Sequence, residues 1–305
     1  MEEAVSSIDK TVDGLRRARE LYRDLIGLYR SQMQSDRALE CIQMAVKHEL
    51  WRDPAQRPID YHPGLTASPV HDASKFPVCE FLEAEFDTMR ADLAMLENPQ
   101  CEAFFPVEEP LLTSGRWEEA IFYEGGLRYE RTAKRFPGIS SVVDRLPDQV
   151  RQCGMVMLSR LAPDSHIFPH CGFTNSRLRL HLGLVIPGEA MMRVADRFVE
   201  WKQGKCVVFD DSFEHEVWHF GTSPRIVLLI DIPHPEITAR TANGRTRQLN
   251  ADFQDFMRQR GLRRIEQAKN TGELSLELDE YHSRLVKRLM TEMNVDSVVL
   301  EERKD

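Results

Sequence analysis

Long hydrophobic runs are missing from this sequence. Its longest purely aliphatic stretch is Ile226-Val227-Leu228-Leu229-Ile230, whereas a membrane span needs about 20 apolar residues. The opening MEEAVSSIDKTVDG is acidic and polar and has no apolar leader segment, so a soluble, cytoplasmic chain is expected. A basic excess is missing too. The formal net charge is −9 and the pI ≈ 5.7, which argues against a general nucleic-acid binder and leaves room for a local cationic pocket. The six cysteines (Cys41, Cys79, Cys101, Cys153, Cys171, Cys206) include no C-x-x-C pair. That argues against a zinc ribbon and against a disulfide framework. No repeat of fixed period is evident. What is present, 42% hydrophobic and 29% charged residues, suits a folded chain with its own core.

Three regions follow from the pattern. Residues 1–100 read as helical. Ile8, Val12, Leu15, Tyr22, Leu25, Tyr29 and Met33 recur at three- and four-residue steps, and Ser35 is placed to cap a second helix carrying Leu39, Ile42, Val46 and Leu50. Pro54, Pro58, Pro63, Gly64 and Pro69 then predict an irregular connection. A third helix is expected with Val78, Phe81, Leu82, Phe86, Met89, Leu93 and Leu96 on one side. Residues 101–240 carry short apolar or alternating runs at 120–123, 155–160, 177–185, 191–194, 205–209, 215–218 and 225–232, separated by Gly, Pro, Asn and Asp. Such spacing predicts a β-sandwich or barrel. Residues 241–305 turn helical again, with Leu278, Tyr281, Leu285, Leu289 and Met293 as a last stripe. The expected fold is thus a mainly β core flanked by N- and C-terminal α-helices.

Six of the ten histidines (His166, His170, His181, His215, His219, His234) fall within residues 166–234. Clustering of this kind on a β core points to a metal site or to ordinary half-buried histidines. Arg177-Leu178-Arg179-Leu180-His181-Leu182 alternates strictly. In a strand, Arg177, Arg179 and His181 share one face and the leucines the other. That polar face is either a solvated surface or a row of donors suited to carboxylates. Arg225 opens the run of Ile, Val and Leu, ten residues after His215. A guanidinium there is costly to bury unless it holds an anion or reaches the rim.

The stretch from His170 through Cys171-Gly172-Phe173-Thr174-Asn175-Ser176-Arg177-Leu178-Arg179-Leu180-His181-Leu182-Gly183-Leu184, with Phe209-Asp210-Asp211-Ser212-Phe213-Glu214-His215-Glu216-Val217-Trp218 and Arg225, Asp231 and His234-Pro235-Glu236, resembles the aspartyl/asparaginyl β-hydroxylase family. The resemblance is strong over residues 155–238 and weaker over 56–148, around Trp117 and Gly126. It does not reach the first 50 residues or those after 240. It implies a double-stranded β-helix, a jelly-roll variant, and an Fe(II)-dependent dioxygenase using 2-oxoglutarate and O₂. It implies His170 and His215 as the metal ligands and catalytic centre, with Gly172 where other oxygenases place a carboxylate. It further implies Arg225 on the distal carboxylate of 2-oxoglutarate with Ser159 as hydroxyl partner, Arg179 and His181 at the cosubstrate's other end, and Arg177 on an acidic substrate group. Asp231 and His234 match as structural residues.

Departures bear on the substrate. Ala133 and Ser140 stand where members that modify EGF-like domains carry a cysteine pair. Leu112 stands near the place of a substrate-contacting arginine, and Arg116 is offset by four residues. EGF-like domains are therefore not the expected substrate. An aspartyl- or asparaginyl-type unit, free, peptidyl or carried on an acidic carrier protein, is expected to be hydroxylated. A lipid chain, a different small molecule, and a non-catalytic binding role for the fold stay open. So does a cupin-like isomerase or hydrolase, which would need no arginine anchor. The basic residues between 240 and 269 read either as a solvated helix face or as a dock for the acidic carrier.

Overall fold

The computed structural model describes residues 11–96, 103–107 and 111–237. Ile8, the basic run 240–269 and the stripe from Leu278 to Met293 lie outside the described residues. Two antiparallel sheets share one core. The larger contains β1 (Val70–His71), β2 (Phe105–Pro106), β4 (Trp117–Glu124), β5 (Leu127–Arg128), β6 (Met155–Leu161), β8 (Arg177–Val185), β11 (Cys206–Phe209) and β13 (Arg225–Pro233). Its order is β1-β11-β8-β13-β6-β4-β2, with β5 on β4. The smaller contains β3 (Leu112–Ser114), β7 (Ser165–His170), β9 (Ala190–Val194), β10 (Arg197–Val199) and β12 (His215–His219), in the order β10-β9-β12-β7-β3. From β6 onward the chain swaps sheets after each strand, or after the β9–β10 hairpin. This alternation is the winding of a double-stranded β-helix, as expected from the sequence.

The two faces of the larger sheet do different work. On β8, Leu178, Leu180 and Leu182 are buried with Leu228 and Ile230 of β13 in a cluster that includes Leu82, Met89, Ile139 and Val142 from helices outside the barrel. Burying each such side chain contributes roughly 1.5–3 kcal/mol. The opposite, inner face carries Arg179 and His181 of β8, Ser159 of β6, and Arg225 and Asp231 of β13, beside an apolar plug of Leu161, Val227, Phe209, Phe213 and Val217. Helices on one face call for apolar residues at alternate positions of β8 and β13. The other residues of each strand are left for the barrel interior.

At the N-terminus, α1 (Val12–Ser31) and α2 (Ser35–Lys47) pair through Ile26, Ala38, Cys41, Ile42 and Ala45, closed by Trp51. Val12, Met33 and Leu39 were expected on the packed stripe and are exposed instead. Ser35 is the first helical residue rather than the cap, which is Gln34. The single helix expected over 78–96 is three short ones, α3 (Pro77–Ala84), α4 (Phe86–Arg90) and α5 (Leu93–Leu96). The break after α4 has a use, because the buried Asp92 carboxylate there accepts the Ile139 N–H at 2.8 Å. Ile139 lies in α7 (Pro137–Val143), which follows α6 (Glu130–Arg135) and precedes α8 (Asp148–Arg151). The sequence pattern did not announce these three helices. Among the described residues no helix is long and apolar enough to cross a membrane.

Candidate active site

Strands β7 and β12 set His170 directly opposite His215, with a register shift just beyond, between His215 and Val217. Their ring centroids are 4.0 Å apart. Each Nδ1 lies on a backbone carbonyl two residues back, His170 on Phe168 at 2.7 Å and His215 on Phe213 at 2.9 Å. A carbonyl only accepts, so each Nδ1 carries the proton and each Nε2 presents a lone pair. Burial holds His170 well below the ordinary histidine value and brings His215 down to about 4, so both rings are neutral at pH 7. Two neutral imidazoles with fixed tautomers are suitable ligands for a divalent transition metal. Among the described residues, no group of three or more His, Cys, Asp or Glu is arranged to hold a metal ion.

The bend before β12 explains how His215 is delivered. The Asp210 carboxylate accepts from the Ser212 N–H and hydroxyl and from Gln56 Nε2, folding the turn. Burial pushes the Asp210 carboxyl up to about 7. Asp211 faces the site. Its backbone carbonyl accepts the Gly172 N–H at 2.6 Å, and its carboxylate meets Arg179 Nη2 at 3.2 Å. A Cβ added at Gly172 would lie 2.6 Å from that carboxylate. Gly172 is therefore required by packing, and Asp211 fills the space a side chain at 172 would take.

The other end of the inner face is cationic. Arg225 is 1% exposed, and among the described residues its Nε and Nη1 have no hydrogen-bond partner. It stacks 4.7 Å from the Trp201 ring, and burial with no carboxylate to offset it pulls its guanidinium down to about 9. His181 Nδ1 accepts the Trp201 indole N–H at 3.2 Å, so its proton is on Nε2, which is also buried and unpartnered. Leaving such donors unmet is expensive. Each is a donor suited to a carboxylate, and Trp201 contacts both, which draws His181 toward Arg225 and away from the cosubstrate's other end that the resemblance implied. Ser159 is nearby: Val227, two residues from Arg225, pairs with it in register, and its hydroxyl accepts from Trp117 Nε1 at 3.0 Å. Phe209 joins the two ends, its ring 5.7 Å from His215 and 5.0 Å from His181.

Arg177 and Arg179 lie on the same inner face and are already met by an internal anion. Asp231, 1% exposed, accepts Arg179 Nε at 3.1 Å and the Met155 N–H at 2.9 Å and lies 3.6 Å from Arg177 Nη1. Burial alone would raise the Asp231 carboxyl. The two guanidiniums outweigh it and hold the group below its ordinary value. Charge burial at Arg177 therefore does not by itself call for a substrate carboxylate. His234 closes the strand end through Thr66 O at 3.1 Å.

Sequence reasoning assigned no role to Asp211, Trp201 or Phe209. Asp211 stood inside the quoted motif, and its position four residues before His215 was the available signal. Trp201 lies in a polar loop whose sequence carries none.

Residues 83–235 match the family model for aspartyl/asparaginyl beta-hydroxylase. The human aspartyl/asparaginyl beta-hydroxylase is 39% identical over 137 residues, 44% of this chain and 18% of that protein. The Rhizobium tropici ornithine lipid ester-linked acyl 2-hydroxylase is 30% identical over 175 residues, 55% of this chain and 61% of that protein. The human aspartate beta-hydroxylase domain-containing protein 2 is 31% identical over 202 residues, 62% of this chain and 53% of that protein. The chain thus spans less than two thirds of the length of each of these relatives.

Proposed function

The chain belongs to the aspartyl/asparaginyl beta-hydroxylase family, and we propose that it is an Fe(II)- and 2-oxoglutarate-dependent oxygenase that hydroxylates an unactivated carbon. The observation that carries this reading is the unmatched pair of buried donors, Arg225 and His181 Nε2, at the far end of a pocket that begins at two neutral imidazoles. A cupin-like isomerase or hydrolase has no need of that anchor, and a non-catalytic binding protein has no need of the histidine pair beside it.

His170 and His215 would hold the iron through Nε2. The metal would supply oxygen activation, so that O₂, 2-oxoglutarate and R–H give R–OH, succinate and CO₂. The protein's own part is orientation and exclusion of water. Arg225, His181 and the Ser159 hydroxyl fix the distal carboxylate, and Trp201 holds the His181 tautomer and covers the guanidinium. Asp231 keeps Arg179 and Arg177 extended along the pocket wall. Asp211, against Gly172 and Arg179, presents an acceptor beside the histidine pair.

For the substrate, the inner wall holds three guanidiniums (Arg177, Arg179, Arg225) against two carboxylates (Asp211, Asp231). Arg225 accounts for that surplus and is taken by the cosubstrate, so an aspartyl or asparaginyl unit oxidised at Cβ and contacted by Arg177 rests on the likeness to the family. A second reading, an amino-acid-linked acyl chain, is favoured by the likeness to the Rhizobium lipid hydroxylase and by the neutralisation of Arg177 by Asp231. The test supplies Fe(II), 2-oxoglutarate and O₂ with free amino acids, Asp- and Asn-containing peptides, carrier-bound aminoacyl groups and aminoacyl lipids. Succinate release and oxygen insertion on one class identify it. Absence of 2-oxoglutarate turnover with all of them, in a protein that binds metal, contradicts the enzyme reading.

A further inference from the structure

The helix α1 lies wholly outside the residues matched by the family model, yet its arginines reach both loops that carry the histidine pair. Arg23 donates through Nη2 to the Cys171 carbonyl at 2.7 Å and through Nη1 to the Gly172 carbonyl at 3.1 Å, immediately after His170. About two turns further on, Arg30 Nη2 meets the Glu214 carboxylate at 2.6 Å, immediately before His215. Glu214 also receives Arg57, and Arg193 at 3.3 Å. Burial alone would raise its carboxyl; Arg57 and Arg30 hold it down to about 2. Arg19, on the same helix face, is buried and donates to Leu50 O at 3.0 Å and Ile59 O at 3.5 Å. It ties α1 to the segment whose Arg57 N–H donates to Ser212 O at 3.0 Å. The spacing of residues 19, 23 and 30 keeps these contacts on one side of the helix.

We propose that α1 is a positioning element of the metal site, with Arg23 and Arg30 as positioning residues that set the relative placement of the His170 and His215 loops. Resting on the reading of that pair as metal ligands, this goes beyond it by assigning a role to a helix outside the family's common core. The physical reason is local. The β7–β12 ladder gives way to irregular backbone on either side of the pair, and the loops meet through Gly172 N–H to Asp211 O. A planar guanidinium fork spanning two consecutive carbonyls fixes the orientation of the turn that follows His170, and a lysine with its single point of charge cannot span both. Outer partners that orient metal ligands carry a large share of metal affinity.

The test uses the full chain and Co(II) as probe, read by calorimetry and by its d–d absorption spectrum. The wild type takes up one Co(II). Arg23→Ala lowers Co(II) affinity by about tenfold and alters the d–d spectrum; Arg23→Lys recovers part of the loss, and Arg30→Gln shows a smaller loss. Ile26→Ala, in the α1–α2 interior, serves as the control for stability: it lowers the thermal midpoint and leaves Co(II) affinity and spectrum unchanged. Wild-type affinity and spectrum in folded Arg23→Ala overturn the proposal, as does an equal loss in Ile26→Ala. Should Arg23→Ala fail to fold, wild-type affinity in Arg23→Lys overturns it. Failure of the wild type to bind Co(II) is distinguishable, because it overturns the metal reading of the histidine pair itself.

Discussion

The guanidinium of Arg225 lies 4.7 Å from the Trp201 ring, and the same tryptophan donates its indole N–H to His181. One aromatic side chain thus covers the buried cation and fixes the tautomer of the imidazole. The arrangement stores unmet donors in the ligand-free protein, a cost that a bound dianion relieves.

That cost predicts opposite effects of one substitution. Arg225→Met should raise the stability of the ligand-free chain, by on the order of 1 kcal/mol, and weaken 2-oxoglutarate binding by tens-fold or more, with metal uptake near normal. Thermal unfolding and calorimetry on the same preparation check it. A variant that is both less stable and unchanged in 2-oxoglutarate affinity would remove Arg225 from the site.

Replacing Trp201 by Phe keeps a ring under Arg225 and removes the donor to His181 Nδ1. The expected loss in 2-oxoglutarate affinity is about fivefold, the worth of a hydrogen bond of about 1 kcal/mol. Stability should change little by comparison. Binding equal to wild type would show that the His181 tautomer does not matter.

Asp231→Asn leaves Arg177 and Arg179 without their buried counter-charge, at a cost on the order of 3 kcal/mol at neutral pH. The folded-state carboxyl lies below its ordinary 3.8. Its contribution is therefore complete above that value and is lost as pH falls through the folded value. Denaturant unfolding should show the gap between wild type and variant narrowing below pH 3.8. A gap independent of pH would mean that the carboxylate charge is not what stabilises.

Gly172→Ala would place a methyl group 2.6 Å from the Asp211 carboxylate, an overpacking cost of about 1–3 kcal/mol. In Gly172→Ala/Asp211→Ala the clash is gone. The two changes should therefore be strongly non-additive in stability. Additive effects in a double-mutant cycle would show that Asp211 does not occupy that space.

Much of this was legible because strand alternation is local. Leu178, Leu180 and Leu182 against Arg177, Arg179 and His181 give β8 and its two faces directly. The ten-residue spacing of His215 and Arg225 suggests a hairpin, but β12 and β13 lie in different sheets and do not pair. Strand β7 was not legible as a strand, since Ser165–His170 contains Pro169 and weak alternation; its pairing is supplied by β12 and β3. The broken helix over 77–96 reflects tertiary demands, of which Asp92 on Ile139 is one. Asp231 as the anion of Arg177, and Arg23 on Cys171 across 148 positions, are contacts that no periodicity encodes.

The central claim is that His170 with His215 and Arg225 with His181 are two ends of one binding pocket for a metal and a five-carbon dianion. Anaerobic calorimetric titration of 2-oxoglutarate and of pyruvate into the chain, with and without Fe(II), tests it most directly. One 2-oxoglutarate per chain is expected, dependent on Fe(II), with pyruvate at least tens-fold weaker because it lacks the carboxylate that would meet Arg225. Equal binding of the two acids, or 2-oxoglutarate binding indifferent to Fe(II), would contradict it.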